Sequence, residues 1–304
     1  MPRRRYTTAV TLSAALLAPL VLAQPCPPEG TSRQQLLELR SAEFRLDPAA
    51  RRESLALALL PCLESPDPVL RDSIAFEALS TWMRSRQIGI TTATTLADQL
   101  QARLASDYPD PDGIARPFAA LVLAELARMD RLDPFMSEAR RAELLQAATA
   151  YLVGVRDYRG FDPQIGWRHG VAHGADLLLQ LAANPLLDRP ALDAILAAIA
   201  TQVAPAGEHA YIHGESERLA RPVYAIAERR QHSAPEWQQW LLQIAAPAPF
   251  SAWSEAFNSP AGLAKRHNTR NFLLSMYLSV REHAAPQTQE LVYPPLRDAL
   301  SRLP

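Results

Sequence analysis

DPAARRESLALALLPCLESPDPVLRDSIAFEALSTWMR, residues 47–84, decides the reading of the fold. Asp47-Pro48 and Asp67-Pro68 each stand just before a run whose apolar residues recur at three-and-four spacing. An aspartate accepts hydrogen bonds from the free amides of a helix start, and a proline in the first turn has no amide to leave unpaired. Proline therefore punctuates helices here rather than forming a linker. Asp-Pro recurs at 110–111, 133–134 and 162–163.

Outward from this stretch the same periodicity predicts helices over 32–45, 48–64, 68–86, 93–105, 115–131, 137–156, 166–183, 189–202, 216–230, 235–245, 260–283 and 287–302. Only 11 glycines, abundant Ala, Leu, Arg, Glu and Gln, and few alternating β-branched runs agree with helices throughout. No Gly/Ser-rich linker divides them, so residues 24–304 read as a single all-helical domain. The expected architecture is all-α, an irregular α-solenoid of stacked, HEAT-like helical hairpins, with a globular multi-helix bundle as the alternative. No crisp repeat is visible, and Pro222 is expected to kink its helix or mark its first turn.

The chain opens with Arg3, Arg4 and Arg5, then an apolar run from Ala9 to Ala23, then Gln24 and prolines. That is the layout of a signal peptide, residues 1–23, with Val21 and Ala23 suiting cleavage after Ala23. The run is shorter than the ~20 residues of a spanning helix, and no later segment is long and apolar enough. A lipoprotein signal would need a small residue where Pro25 precedes Cys26, and twin-arginine export fits the following residues poorly. The expected location is periplasmic or secreted, with no membrane span in the mature chain.

Cleavage removes three of 31 basic residues and none of the 32 acidic ones, leaving a net charge of −4. A basic nucleic-acid footprint is absent, so no nucleic-acid partner is expected. Cys26 and Cys62, the only cysteines, suggest one disulfide in an oxidising compartment; the alternative is a free buried Cys62 beside a disordered tail.

GWRHGVAHGADLLLQL, residues 166–181, concentrates the polar chemistry. At ~100° per residue, His173 lies ~40° from His169 and Asp176 ~20° to the other side, so all three would share one helix face. Along the axis His169 and Asp176 stand ~10 Å apart, too far to ligate one ion together. His169 with His173 would chelate a divalent metal only with ligands from elsewhere, and Gly170 occupies the place of a metalloprotease's general-base glutamate. Three readings stay open: a groove in which the histidines orient a ligand, a metal site, and structural hydrogen bonding between helix layers. Trp167 and Arg168 add an aromatic and a cation to the groove, with Trp167 read as core or rim packing.

GEHAYIHGESERLARPVYAIAERR, residues 207–230, again spaces two histidines by four, His209 and His213. Glu215 and Glu217 follow, as third ligand or general base if this turn folds against the first stretch. The plainer reading places the acids at a helix start, where they complement its dipole, and the histidines in a solvated loop. Arg156, Asp157, Arg159 and Asp162 crowd the turn before GWRH, as solvated charges or as braces of the groove mouth. His267, Arg270 and Asn271 read first as the polar start of a capped core helix. Phosphate loops, GxSxG elbows, CxxC pairs and long heptad seams are missing.

RDYRGFDPQIGWRHGVAHGADLLLQLAANP (156–185) resembles the most recognisable block of the bacterial domain-of-unknown-function 2785 family. DPVLRDSIAFEAL (67–79), ARPFAALVLAEL (115–126), GESERLARPVYA (214–225) and TRNFLLSMYL (269–278) are similar to its other blocks in order, spanning roughly residues 35–285. The resemblance implies an all-helical fold and no established activity. It places His169, His173, Asp176, Glu215, Glu217 and Arg218 within characteristic blocks. Pro117 stands where the family pattern has a serine, so any role of that serine has no counterpart here.

These observations lead to two expectations of function. The first is an exported helical-repeat protein binding a small molecule or protein through a groove lined by Trp167, Arg168, His169, His173, Asp176, Glu215, Glu217 and Arg218. The second is a metal-dependent hydrolase-like enzyme with His169 and His173 as ligands and Glu215 or Glu217 as third ligand or base.

Overall fold

A computed structural model describes residues 25–304, so the expected signal peptide lies outside the described residues. Among the described residues the fold is all-α, with a single two-stranded hairpin. Its helices are α1 (Arg33–Ser41), α2 (Ala49–Ala58), α3 (Glu77–Arg84), α4 (Ile90–Arg103), α5 (Ala115–Leu132), α6 (Glu138–Gly154), α7 (Gly170–Ala182), α8 (Arg189–Val203), α9 (Glu215–Arg229), α10 (Ala234–Ile244), α11 (Pro260–His283) and α12 (Pro286–Ser301). The hairpin strands are β1 (Phe161–Asp162) and β2 (Gly166–Trp167), paired antiparallel with Phe161 opposite Trp167.

Starts are capped in part as the residue types dictate: Asp67 accepts from the Val69 amide at 2.8 Å, whereas Asp47 does not cap α2, whose N-cap is Pro48. Ser32 with Gln35 and Ser233 with Glu236 form capping boxes, and the Asp188 side chain accepts from the Ala191 amide. Asp110 accepts from the amides of Ile114, Ala115 and Arg116 at 2.7, 2.9 and 3.0 Å, anchoring the start of α5. Asp130 near the other end of α5 is 1% exposed and accepts from the amides of Phe135 and Met136, from Arg141 and from Asn184. One buried carboxylate thereby ties α5 to α6 and to the end of α7.

Helices α5, α7, α9 and α11 pack side by side in that order, with α3 and α4 against α5. Helix α6 packs on α7 and α8, and α10 on α12. Almost every side of α7 is buried, which its apolar circumference requires. Gly174 lets it approach α6 closely: an added Cβ would lie 3.0 Å from Leu152 and 3.1 Å from Tyr151. Cys26 and Cys62 are joined by a disulfide, which ties residue 26 to the buried turn Leu60–Glu64. Among the described residues no helix is long and apolar enough to cross a membrane.

Two expectations are corrected. The helix predicted over 166–183 begins only at Gly170; Gly166 and Trp167 form a strand, and His169 is the left-handed N-cap residue at φ 55°. Apolar spacing in these four residues mimics a helix, while the hairpin is too short to show its own alternation. The helix predicted over 68–86 opens with a π-helical segment, Val69–Phe76, before α3. Pro222 lies inside α9, not in its first turn.

Candidate functional site

The loop between α6 and α7 doubles back through the β hairpin, and interior polar groups tether it at several points. Asp162 Oδ1 accepts from the amides of Gln164 and Ile165 at 2.8 and 2.9 Å, closing the hairpin turn. Arg71, fully buried on the π-helical segment, donates to the Ile165 carbonyl at 2.7 Å, to the Ser65 carbonyl at 3.0 Å and to Asp72 at 2.7 Å. Its guanidinium also lies 4.7 Å from the centre of the Phe118 ring. Arg168, 4% exposed, donates to the Asp112 carbonyl at 2.7 Å and to Asp162 at 3.2 Å. Arg168 is therefore a brace of the loop and not a groove cation.

His169 sits where this loop meets the start of α9. Its Nε2 donates to the His213 carbonyl at 3.1 Å and lies 3.7 Å from Glu215 Oε1. Glu215, 2% exposed, takes the His213 amide on Oε2 at 2.9 Å, while Oε1 has no hydrogen-bond donor. Trp167 stacks on the His169 ring at 4.8 Å, and Phe161 and His213 meet Trp167 edge-on at 5.2 and 5.7 Å. Gly160 makes this possible, since a Cβ there would overlap the His213 ring. On the solvent side, Phe161 is 50% exposed and Trp167 39%, with Ile212 exposed next to His213.

His173 lies one turn deeper, edge-on to His169 at 5.7 Å and to Phe118 at 5.3 Å. Its Nδ1 has no partner. Burial holds its pKa well below the ordinary histidine value, and the charge that His169 would carry if protonated and the Arg218 guanidinium add to that. Burial also lowers His169, against the opposing pull of Glu215. Both imidazoles are thus neutral at neutral pH.

Of the remaining expected residues, Arg218 and Asp176 border this cluster, while Glu217 does not join it. His169 precedes the helix as its N-cap, so of the three residues expected on one face only His173 and Asp176 are helical. His169 still meets His173 edge-on, and Arg218, whose charge reaches both imidazoles, holds Asp176. Asp176 is engaged by Arg218 Nη1 at 2.5 and 2.7 Å; burial raises its pKa while Arg218 opposes. Glu217 is exposed and pairs with Arg221. The crowd of charges before GWRH splits: Asp157 pairs with Arg159 at the surface, and Arg156 donates to the Val153 and Val155 carbonyls. His209 stacks on Tyr158 at 5.6 Å, and His267 Nε2 donates to the Tyr211 carbonyl at 3.1 Å. Five of the chain's seven histidines therefore gather around the two loops that precede α7 and α9.

For a metal, the two best-placed donors are His169 Nε2 and Glu215 Oε1. Among the described residues no group of three His, Cys, Asp or Glu side chains is placed to hold an ion. His169 would also have to release the His213 carbonyl to ligate through Nε2.

The family model described as Protein of unknown function (DUF2785) matches residues 107–278, more than half of the chain. The chain belongs to this family. The DUF2785 match contains the whole hairpin, the histidine cluster and helices α5 to α10, and leaves out Arg71 and the disulfide. No curated protein and no solved structure matches the chain.

Sequence reasoning missed Arg71, Phe161, Tyr158 and Gly160. An arginine next to an aspartate inside an apolar helical run, as in LRDS, was the available signal for Arg71.

Proposed function

We propose that this is an exported binding protein of stacked helical hairpins, which takes a small polyhydroxyl ligand such as a sugar on the Phe161–Trp167 face. One observation carries it: two large aromatics lie exposed side by side on a loop that Arg71, Arg168, His169 and His213 hold rigid from beneath. Exposed aromatics on a pre-ordered frame bind without losing much conformational entropy. The apolar C–H face of a sugar ring suits stacking on Trp167, and the same α6–α7 loop carries the surface pair Asp157–Arg159, an acceptor and donors of the kind that hydroxyls take. His169 and Glu215, buried behind the platform, position it. Export is supported by the disulfide, which oxidising compartments favour, and by the leader-like residues 1–23.

The test is calorimetric titration of the mature chain with a panel of soluble sugars, beside Trp167→Ala. At least one sugar is expected to bind and to lose at least about ten-fold in affinity in the variant, as truncation of a central aromatic does. Binding of nucleosides or peptides alone, still dependent on Trp167, would keep the platform and overturn the ligand class. Binding indifferent to Trp167 would overturn both.

A second reading, a metal-dependent hydrolase, draws on the 3.7 Å approach of His169 Nε2 to Glu215 Oε1. Its test is elemental analysis of the untagged protein. Stoichiometric zinc, iron or manganese lost in His169→Ala would favour it.

A further inference from the structure

We propose that a cavity between α3, α4 and α5 binds a medium-chain aliphatic carboxylate, the chain inside and the head group at Arg86 and Arg128. The cavity measures about 210 Å³ and is walled by Met83, Ile88, Met129 and Phe135. That is smaller than the ~300–1,000 Å³ of sites for drug-sized ligands, so it admits a single short chain rather than a ring system. Ile90 and Leu132 line the same opening at 65% and 50% exposure, leaving a continuous apolar mouth open to water.

Charge fixes the occupant's polarity. Three arginines line the cavity, with Asp133 the single acid. Arg84 is committed to Glu125 on α5. Neither the Arg86 nor the Arg128 guanidinium has an ion-pair or hydrogen-bond partner among the described residues. Two unpaired guanidiniums at the rim of an apolar hole match an anion with a hydrocarbon tail, which a neutral or cationic chain does not. The cavity sits at the far end of α5 from Asp112 and the aromatic hairpin, about 25 Å along the helix, so it is independent of the sugar site.

The test titrates the full mature chain with butanoate, hexanoate, octanoate and octan-1-ol, beside the double variant Arg86→Gln/Arg128→Gln. Each methylene that enters the cavity should raise affinity about four-fold, so octanoate should bind roughly fifteen-fold tighter than hexanoate. Octan-1-ol, and octanoate against the double variant, should each bind at least about ten-fold more weakly. Both arginines lack partners, so the variant should melt within a degree or two of the wild type. No saturable octanoate binding at millimolar concentration, equal binding by the double variant, or equal binding of octan-1-ol would overturn the proposal. Binding to phosphatidylglycerol vesicles without octanoate binding would overturn it too, assigning the rim to a lipid surface.

Discussion

Acidifying the protein from pH 7.0 to 5.5 should cost it stability through His173. The ring is fully enclosed, and burial holds its folded pKa well below the unfolded value of ~6.5. In that interval the unfolded chain takes up a proton that the folded chain refuses. The contribution of His173 is therefore complete above about pH 6.5 and falls away as pH drops below it. Linkage puts the loss between pH 7.0 and 5.5 at about 1.2 kcal/mol for one histidine that stays neutral when folded. His169 and His232 are lowered by burial in the same sense, so the whole protein should lose more. The assay is urea unfolding followed by tryptophan fluorescence at both pH values, for the wild type and for His173→Gln. The variant is uncharged throughout and shares every other titrating group, so its pH dependence should be smaller by about 1.2 kcal/mol. Equal pH dependence in the two, within about 0.3 kcal/mol, would refute the burial of a neutral imidazole at this position.

Gly160→Ala should displace His213 and the hairpin at a cost of about 1–3 kcal/mol, read as a lowered melting temperature. Arg71→Met should cost about 3–5 kcal/mol in urea unfolding, because Asp72 and the Ser65 and Ile165 carbonyls lose a buried partner; a cost under 1 kcal/mol would mean the arginine is not a tether. Reducing the Cys26–Cys62 disulfide, which spans 36 residues, should lower stability by about 3–4 kcal/mol on the chain-entropy model, and the Cys26→Ser/Cys62→Ser variant should show the same loss without reductant.

Helix positions were legible because apolar spacing and Asp-Pro starts are local signals. Eleven of the twelve predicted segments begin within three residues of a regular helical element. The exception is the stretch that mattered most for function. Gly166, Trp167, Arg168 and His169 continue the apolar spacing of α7 backwards, so the pattern hides a hairpin whose strands are two residues each. Moving His169 off the helix replaced an angular argument about three side chains with a contact between two loops. That contact joins His169 to a carbonyl 44 residues on, at His213, and to the carboxylate of Glu215 beyond it, which no local pattern encodes. Glu215 was legible as an acid near the histidines, whereas Glu217, two residues on, faces solvent and Arg221. The platform itself was hidden for a different reason: Trp167 read as core or rim packing and Phe161 carried no signal of its own, and it is the tethered loop that leaves the two exposed side by side.

The most direct test of ligand binding at the hairpin is the set of five tryptophan indole N–H resonances, with that of Trp167 assigned from Trp167→Phe, recorded while soluble sugars are titrated. Saturable movement of the Trp167 resonance, with buried Trp82 and Trp237 unmoved, is predicted. A sugar that binds and leaves the Trp167 resonance in place would contradict it, as would a full panel that moves none of the five.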